Sequence, residues 1–338
     1  MKILVIRFSS IGDIVLTTPV VRTLKTQIGD VEVHYLTKEQ YRSILEENPY
    51  VSKVWTLPDS LTSLASQLRK EKFDWVIDLH NNIRTRIIRL LVGRPSKSFS
   101  KLNISKWLLV NAKINRLPNR HIVDRYMDTV SHLNVKMDTL GLDYFIPEKD
   151  EIETGWLPQS HRMGFVAVVI GGKHATKRLP TKRLIELCDR INKPIVLLGG
   201  KEDQLIGDEI ERFFKVDPSV ESEKERVLRE DLGKKAEVYN ACGKFNLNQS
   251  ASILKESIVV FSHDTGLMHI AAALGKKIYS IWGNTIPEFG MYPYRTQFVI
   301  FENKKLKCRP CSKIGFSQCP KGHFKCMNDV VFDFYIPD

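Results

Sequence analysis

The chain has 338 residues, 43% hydrophobic and 27% charged, which excludes extensive disorder and predicts two α/β domains of about 150 residues each. No stretch approaches the ~20 apolar residues of a membrane helix. The apolar run at the start, Ile3-Leu4-Val5-Ile6, is too short for a secretion signal, so a cytoplasmic or peripheral location is expected.

Residues 3–6 read as a strand that runs into Phe8-Ser9-Ser10-Ile11-Gly12-Asp13. This is not Gly-x-Gly-x-x-Gly, so a nicotinamide or flavin enzyme loses its main support. What remains is a turn glycine and a carboxylate at a strand's C-terminal end, where open α/β sheets bind ligands. Asp13 has two compatible readings: a helix N-cap, or a general base that takes a proton from an acceptor hydroxyl. A helical segment follows through residues 20–25, which Pro19 either starts or kinks. Residues 31–35 and 75–79 read as further strands.

The net charge of +12 is concentrated. Between Arg84 and Arg125 stand eleven basic residues, Arg86 among them, against one acid, Asp124. Trp107-Leu108-Leu109-Val110 interrupts this stretch. It is either a solvated basic face or, given its apolar wedge, a contact for a phosphorylated lipid or an anionic membrane surface. Nucleic acid is not expected: the chain lacks an RNP-like strand, a helix-turn-helix and a C2H2 pattern.

Prolines and acids at residues 147–158 mark the joint, giving domains 1–155 and 156–338. The second half repeats the alternation, with strands at 165–170, 195–198, 258–261 and 278–281 and helices near 182–191, 203–214 and 247–257. Residues 215–235 are densely charged and read as a surface excursion. Gly171-Gly172 precede Lys173, Lys177 and Arg178, any of which could bring a cation to the mouth of the strand. Residues 258–261 lead into Ser262-His263-Asp264-Thr265-Gly266-Leu267-Met268-His269 and an alanine-rich helix. Free N–H groups and the dipole at that helix start make an anion site, and Gly266 permits close approach. Near the end, Cys308, Cys311, Cys319 and Cys326, with His323, could hold a structural zinc; free packed thiols are the alternative.

The ordered set Arg7-x-x-x-x-Gly12-Asp13 with Pro19 and Leu24-Lys25, Lys177-x-x-Pro180, and Asp264-Thr265-Gly266-Leu267-x-His269 with Ala271-Ala272 and Leu274-Gly275 resembles the bacterial heptosyltransferases of glycosyltransferase family nine. The resemblance implies GT-B architecture, two Rossmann-like domains facing a central cleft. It implies an inverting transfer of heptose from ADP-L-glycero-D-manno-heptose to the lipopolysaccharide inner core, with no metal required. By the same resemblance Asp13 is the base, beside Ser10 and Gly12. Lys177, Asp264, Thr265, Gly266, Leu267 and His269 hold the donor, Glu202 reaches its ribose, and Arg84 and Arg86 stand on the acceptor side. The acceptor would be phosphorylated lipid A with its core sugars, at the cytoplasmic face of the inner membrane. The chain departs from the pattern at its end: residues 329–338 read as a short strand where GT-B chains commonly finish with a helix crossing back. Two alternatives stay open, a GT-B transferase using a UDP- or GDP-sugar and a non-catalytic nucleotide-sugar-binding homologue.

Overall fold

A computed structural model describes residues 1–215 and 236–336. The first sheet comprises β1 (Lys2–Ile6), β2 (Glu32–Thr37), β3 (Lys53–Thr56), β4 (Trp75–Asp78) and β5 (Ser96–Ser98), in the order β3-β2-β1-β4-β5. The second comprises β6 (Val166–Val169), β7 (Ile195–Leu198), β8 (Val238–Asn240), β9 (Val260–His263), β10 (Ile278–Trp282) and β11 (Phe298–Glu302), in the order β11-β10-β9-β6-β7-β8. Every pairing is parallel. Counted from its own first strand, each sheet runs 3-2-1-4-5, and the second adds a sixth strand. That is the doubly wound order of a Rossmann domain, and the pair is a GT-B architecture.

Parallel strands are covered on both faces and need continuous apolar runs. Ile3, Leu4, Val5 and Ile6, and likewise Ile195, Val196, Leu197 and Leu198, are wholly buried. The expected strands recur with ends shifted by a residue or two. Strands β3, β5, β8 and β11 are additions; the first three are not announced by apolar patterning, whereas β11 carries the apolar run Phe298-Val299-Ile300-Phe301, which the sequence reading passed over. β5 reads Ser-Lys-Ser and exists because its backbone pairs with β4.

The helices that matter below are α1 (Ile11–Val15), α2 (Thr18–Gln27), α3 (Leu61–Lys70), α4 (Ile83–Val92), α5 (Asn103–Trp107), α6 (Ile122–Met127), α7 (Thr181–Ile191), α8 (Gln204–Lys215), α9 (Leu247–Glu256) and α10 (Gly266–Ala273). Pro19 sits in the first turn of α2 and starts it, since the N–H it lacks has no partner there anyway. Lys215 closes α8; the rest of the charged stretch 215–235 lies outside the described residues. Among the described residues no helix is long and apolar enough to cross a membrane.

The chain end corrects the strand expected there. Residues 329–336 have no regular structure. Phe332 and Phe334 pack on Phe301, at 5.7 and 6.1 Å, and Phe334 also lies 4.8 Å from Phe261. The Tyr279 hydroxyl donates to the Tyr335 carbonyl at 2.5 Å. The end therefore stays on the second domain.

Other contacts latch the pair. Buried residues of both sheets, Val5 and Val169 among them, share one apolar cluster. The Ile122 N–H donates to the Gly290 carbonyl at 2.8 Å, Tyr144 to the Asn248 side chain at 2.6 Å and the Ile152 N–H to Ser252 at 2.8 Å. Lys113 donates to the carbonyls of Cys308 and Pro310.

Candidate functional site

In a doubly wound sheet the switch point lies between the first strand and the fourth, where helices leave in opposite directions. Here these are the C-terminal ends of β1 and β4, and of β6 and β9. Asp13 follows β1, Lys177 follows β6, and the Asp264 turn follows β9.

On the first domain, Ser10 is the N-cap of α1, and Asp13 stands three positions further on. This corrects the N-cap reading of Asp13: its carboxylate reaches back, accepting the Ser10 N–H at 3.1 Å and the Ser10 hydroxyl at 2.8 Å. Its other oxygen meets the Arg7 guanidinium at 2.5 Å. Arg7 is fixed in turn by the carbonyls of Ser9 (2.8 Å) and Leu79 (2.5 Å), and lies 5.9 Å from the Tyr126 ring. Burial acts to raise the Asp13 pKa, but the Arg7 charge and the two Ser10 bonds outweigh it and hold the group below 3.8. Asp13 is ionised at neutral pH. Lys106 of α5, 5.8 Å from the Phe289 ring, faces the same charges; burial, with Arg125, pushes it down to about 8.

On the second domain, Thr265 is the N-cap of α10 in extended conformation, with no side chain capping the helix. Gly266 and Leu267 open the helix, so their N–H groups lack intrahelical partners. Lys177 meets the Asp264 carboxylate at 2.5 Å, and Thr285 donates to the same oxygen at 3.0 Å. Of the three candidate cations, Lys177 is the one at the turn. Arg178 pairs with buried Asp203 at 3.1 Å, and Lys173 is exposed.

The two halves meet directly. A Cβ on Gly266 would fall 2.8 Å from Cβ and Cγ2 of Ile11, and a Cβ on Gly12 would collide with the His269 ring. Glycine at both positions is what lets the starts of α1 and α10 abut. His269 is buried between them, drawn upward in pKa by both Asp264 and Asp13, yet burial prevails and holds it at about 4. It is a neutral imidazole.

Glu202 is exposed at the mouth of β7 beside Gly200. Arg84 and Arg86 stand exposed on α4. Arg86 lines, with Arg89 and Arg94, a hollow of about 570 Å³ between α4 and β5. The apolar wedge in the basic stretch divides: Trp107 is exposed and Leu109 is buried.

Cys308 Sγ lies 3.8 Å from His323 Nε2, and the Cys311 thiol donates to the Cys308 carbonyl. Burial pushes Cys311 up to about 11 and Cys326 up to about 12. Among the described residues no three His, Cys, Asp or Glu side chains are placed to hold a metal, so the zinc reading has no geometric support. The segment instead buttresses the Lys177 loop: Thr176 and Phe316 exchange hydrogen bonds at 2.8 and 3.2 Å.

Sequence reasoning named Arg7 only within a motif, counted Lys106 only in the basic stretch, and passed over Thr285 and Asn284. Arg7 carries a signal, a basic residue ending a buried strand. Asn284, buried with neither side-chain polar atom partnered, carries none.

The sequence model described as Glycosyltransferase family 9 (heptosyltransferase) matches residues 61–321. The chain belongs to this family. The matched stretch takes in Lys177 and the Asp264 turn and begins beyond Asp13. Lipopolysaccharide heptosyltransferase 1 of Campylobacter coli is 24% identical, over 90% of this chain and 91% of its own length. Lipooligosaccharide heptosyltransferase 2 of Haemophilus influenzae is 24% identical over 93% of each. Among solved structures, ADP-heptose LPS heptosyltransferase II of E. coli superposes with a TM-score of 0.68 at 19% identity, over 97% of this chain and 98% of that one. An E. coli heptosyltransferase solved with ADP gives 0.59 at 19% identity, over 89% and 93%. As a family 9 member the chain is a glycosyltransferase.

Proposed function

We propose that this enzyme transfers heptose, with inversion, from ADP-L-glycero-D-manno-heptose to the inner core of lipopolysaccharide, with Asp13 as the general base and no metal required. The observation that carries the reading is the meeting of an ionised Asp13 with the uncapped start of α10 and its Lys177, across the Gly12–Gly266 contact. The relatives' names, and the neighbour solved with ADP, support the donor and the acceptor class.

Displacement at an anomeric carbon needs a deprotonated hydroxyl on one face and a stabilised leaving group on the other. Asp13 takes the proton as the acceptor oxygen bonds to the anomeric carbon and the bond to the diphosphate breaks. A carboxylate held at low pKa is a weak base toward a free alcohol, so transfer is late, when the attacking oxygen has become acidic. The departing ADP gathers negative charge. The N–H groups of Thr265, Gly266 and Leu267, the dipole of α10 and Lys177 oppose that charge. Asp264 acts through Lys177: its carboxylate, anchored by Thr285, aims the ammonium and leaves N–H bonds for the diphosphate. His269 fills the junction beside the donor, and Glu202 reaches the ribose. The acceptor is phosphorylated lipid A with its core sugars, presented at the cytoplasmic face of the inner membrane, where the enzyme works peripherally.

Transfer from ADP-heptose to short lipopolysaccharide acceptors tests donor, acceptor and activity together. Asp13→Asn is expected to abolish transfer while ADP still raises the melting temperature; unchanged turnover removes Asp13 from the mechanism. Stabilisation by UDP or GDP instead of ADP overturns the donor assignment.

A further inference from the structure

Helix α4, Ile-Arg-Thr-Arg-Ile-Ile-Arg-Leu-Leu-Val, carries apolar residues on two opposite faces with arginines between them. Thr85, Ile88 and Val92 form the inner stripe, and Ile88 and Val92 pack in an apolar cluster with Leu64 and Leu68 of α3. At about 100° per residue, Ile83, Ile87, Leu90 and Leu91 fall together on the opposite face. That face is open, with Ile83 75% and Leu90 80% exposed. Four large apolar side chains in a contiguous exposed strip mark an interaction surface rather than scattered surface residues.

The charges say what covers it. On the same wheel Arg84 flanks the apolar strip on one side and Arg86 on the other. The helix ends at Gly93, followed by Arg94. None of Arg84, Arg86 and Arg94 has an ion-pair partner among the described residues. Arg86, Arg89 and Arg94 converge on the hollow between α4 and β5, with Ser96 and Ser98 on its other wall. An apolar strip edged by arginines is the pattern of a helix lying in the plane of a lipid interface, its apolar side chains at the acyl boundary and its cations among phosphates. A second copy fits worse: face-to-face packing brings two arginine-edged strips together with no acidic residue on α4 to pair them.

We propose that the outer face of α4 docks on an anionic phospholipid bilayer. Ile83, Ile87, Leu90 and Leu91 enter the interface, and Arg86 and Arg94 receive lipid phosphates at the hollow, whose wall Arg89 completes while it holds Asp78 at 3.6 Å and Ser96 at 3.0 Å. The inference deepens the functional reading above, resting on its membrane-borne acceptor for a purpose but on α4 for its evidence. It uses only the first part of the basic stretch of residues 84–125. Lys113 is engaged by the second domain, Arg120 by Asp128 at 2.9 Å and Arg125 by the Ser100 carbonyl.

The test is sedimentation of the full chain with vesicles of phosphatidylcholine alone or mixed with phosphatidylglycerol, without substrates. Binding is expected only with the anionic lipid and should weaken in high salt. The double variant I83S/L90S should bind at least roughly tenfold more weakly. R84S/R86S/R94S should lose roughly a hundredfold at low salt. Both variants change exposed positions, and an unchanged melting curve verifies folding. I83S/L90S should also keep full transfer to a deacylated, soluble acceptor while losing transfer to acceptor embedded in vesicles. Equal vesicle binding by wild type and I83S/L90S overturns the proposal. So does self-association, seen by sedimentation velocity, that the same variant abolishes. Failure to transfer heptose to the soluble acceptor, with vesicle binding intact, sinks the functional reading and leaves this one standing.

Discussion

Asp13 serves structure and chemistry with the same two oxygens. One closes the first turn of α1 onto Ser10, and the other answers Arg7. Because burial alone would raise its pKa, the low value depends on Arg7. Arg7→Met is therefore expected to raise the Asp13 pKa and carry the acid limb of kcat/KM upward from below the ordinary carboxylate range. A base works when ionised, so activity is lost below that limb and kept above it. Leaving the carboxylate without its partner also costs roughly 3–5 kcal/mol of stability, which thermal unfolding would register. An acid limb that stays where it was in Arg7→Met means that Arg7 does not tune Asp13. The same scale shows a limit of sequence reading. Lys173, Lys177 and Arg178 are equivalent candidates along the chain, and the choice of Lys177 depends on Asp264, 87 residues away.

Among the elements, α1 and α10 matter as a pair because two glycines remove the side chains that would hold them apart. Gly266→Ala puts a methyl against the β-branched Ile11, whose Cβ cannot swing away, whereas the His269 ring facing Gly12 has more freedom. We expect Gly266→Ala to slow transfer by about a hundredfold, the order of loss that a 1 Å misplacement produces, with ADP affinity changed only a few-fold because the helix N–H groups remain. Wild-type turnover in that variant would show that the abutment is dispensable. The alternation of apolar runs with helical stretches made the strands at residues 3–6, 195–198 and 278–281 legible, because a buried parallel strand must be apolar on both faces. β5 was not legible, since a Ser-Lys-Ser strand depends on its neighbour's backbone. The outward face of α4 was not legible either: with apolar residues on two opposite faces of the helix, periodicity cannot tell which stripe finds a core.

For the whole molecule, the domain latch and the buried histidines set a common prediction. Burial holds His121 at about 3 and His263 and His269 at about 4, against 6.5 for a free imidazole. His121 sits where the domains meet, hydrogen-bonded to the Tyr292 carbonyl at 2.9 Å, and His263 accepts the Leu179 N–H at 2.9 Å. Their folded pKa values lie below the unfolded one, so the unfolded chain binds more protons on acidification. Stability is complete above about pH 6.5 and falls from there toward pH 4, by up to about 1.4 kcal/mol per pH unit for each group. The melting temperature should drop between pH 7 and pH 5, and less so in His121→Phe. An equal melting temperature at both pH values would show that these rings are not held neutral.

The sequence by itself determined the two-domain α/β plan and the order of the ligand-binding turns. Apolar runs, turn glycines and helix starts are signals written within a few residues of one another, and each dictates its local backbone. The tertiary structure decided which cation joins the Asp264 turn, that Ser10 rather than Asp13 caps α1, that a shared apolar cluster and residues 113–152 rather than residues 329–336 tie the domains, and that α4 turns four of its six apolar side chains outward. Each of those is a choice between locally equivalent side chains or faces. Distance, burial and charge between residues far apart in the chain make that choice, and none of the three is written in the order of the amino acids.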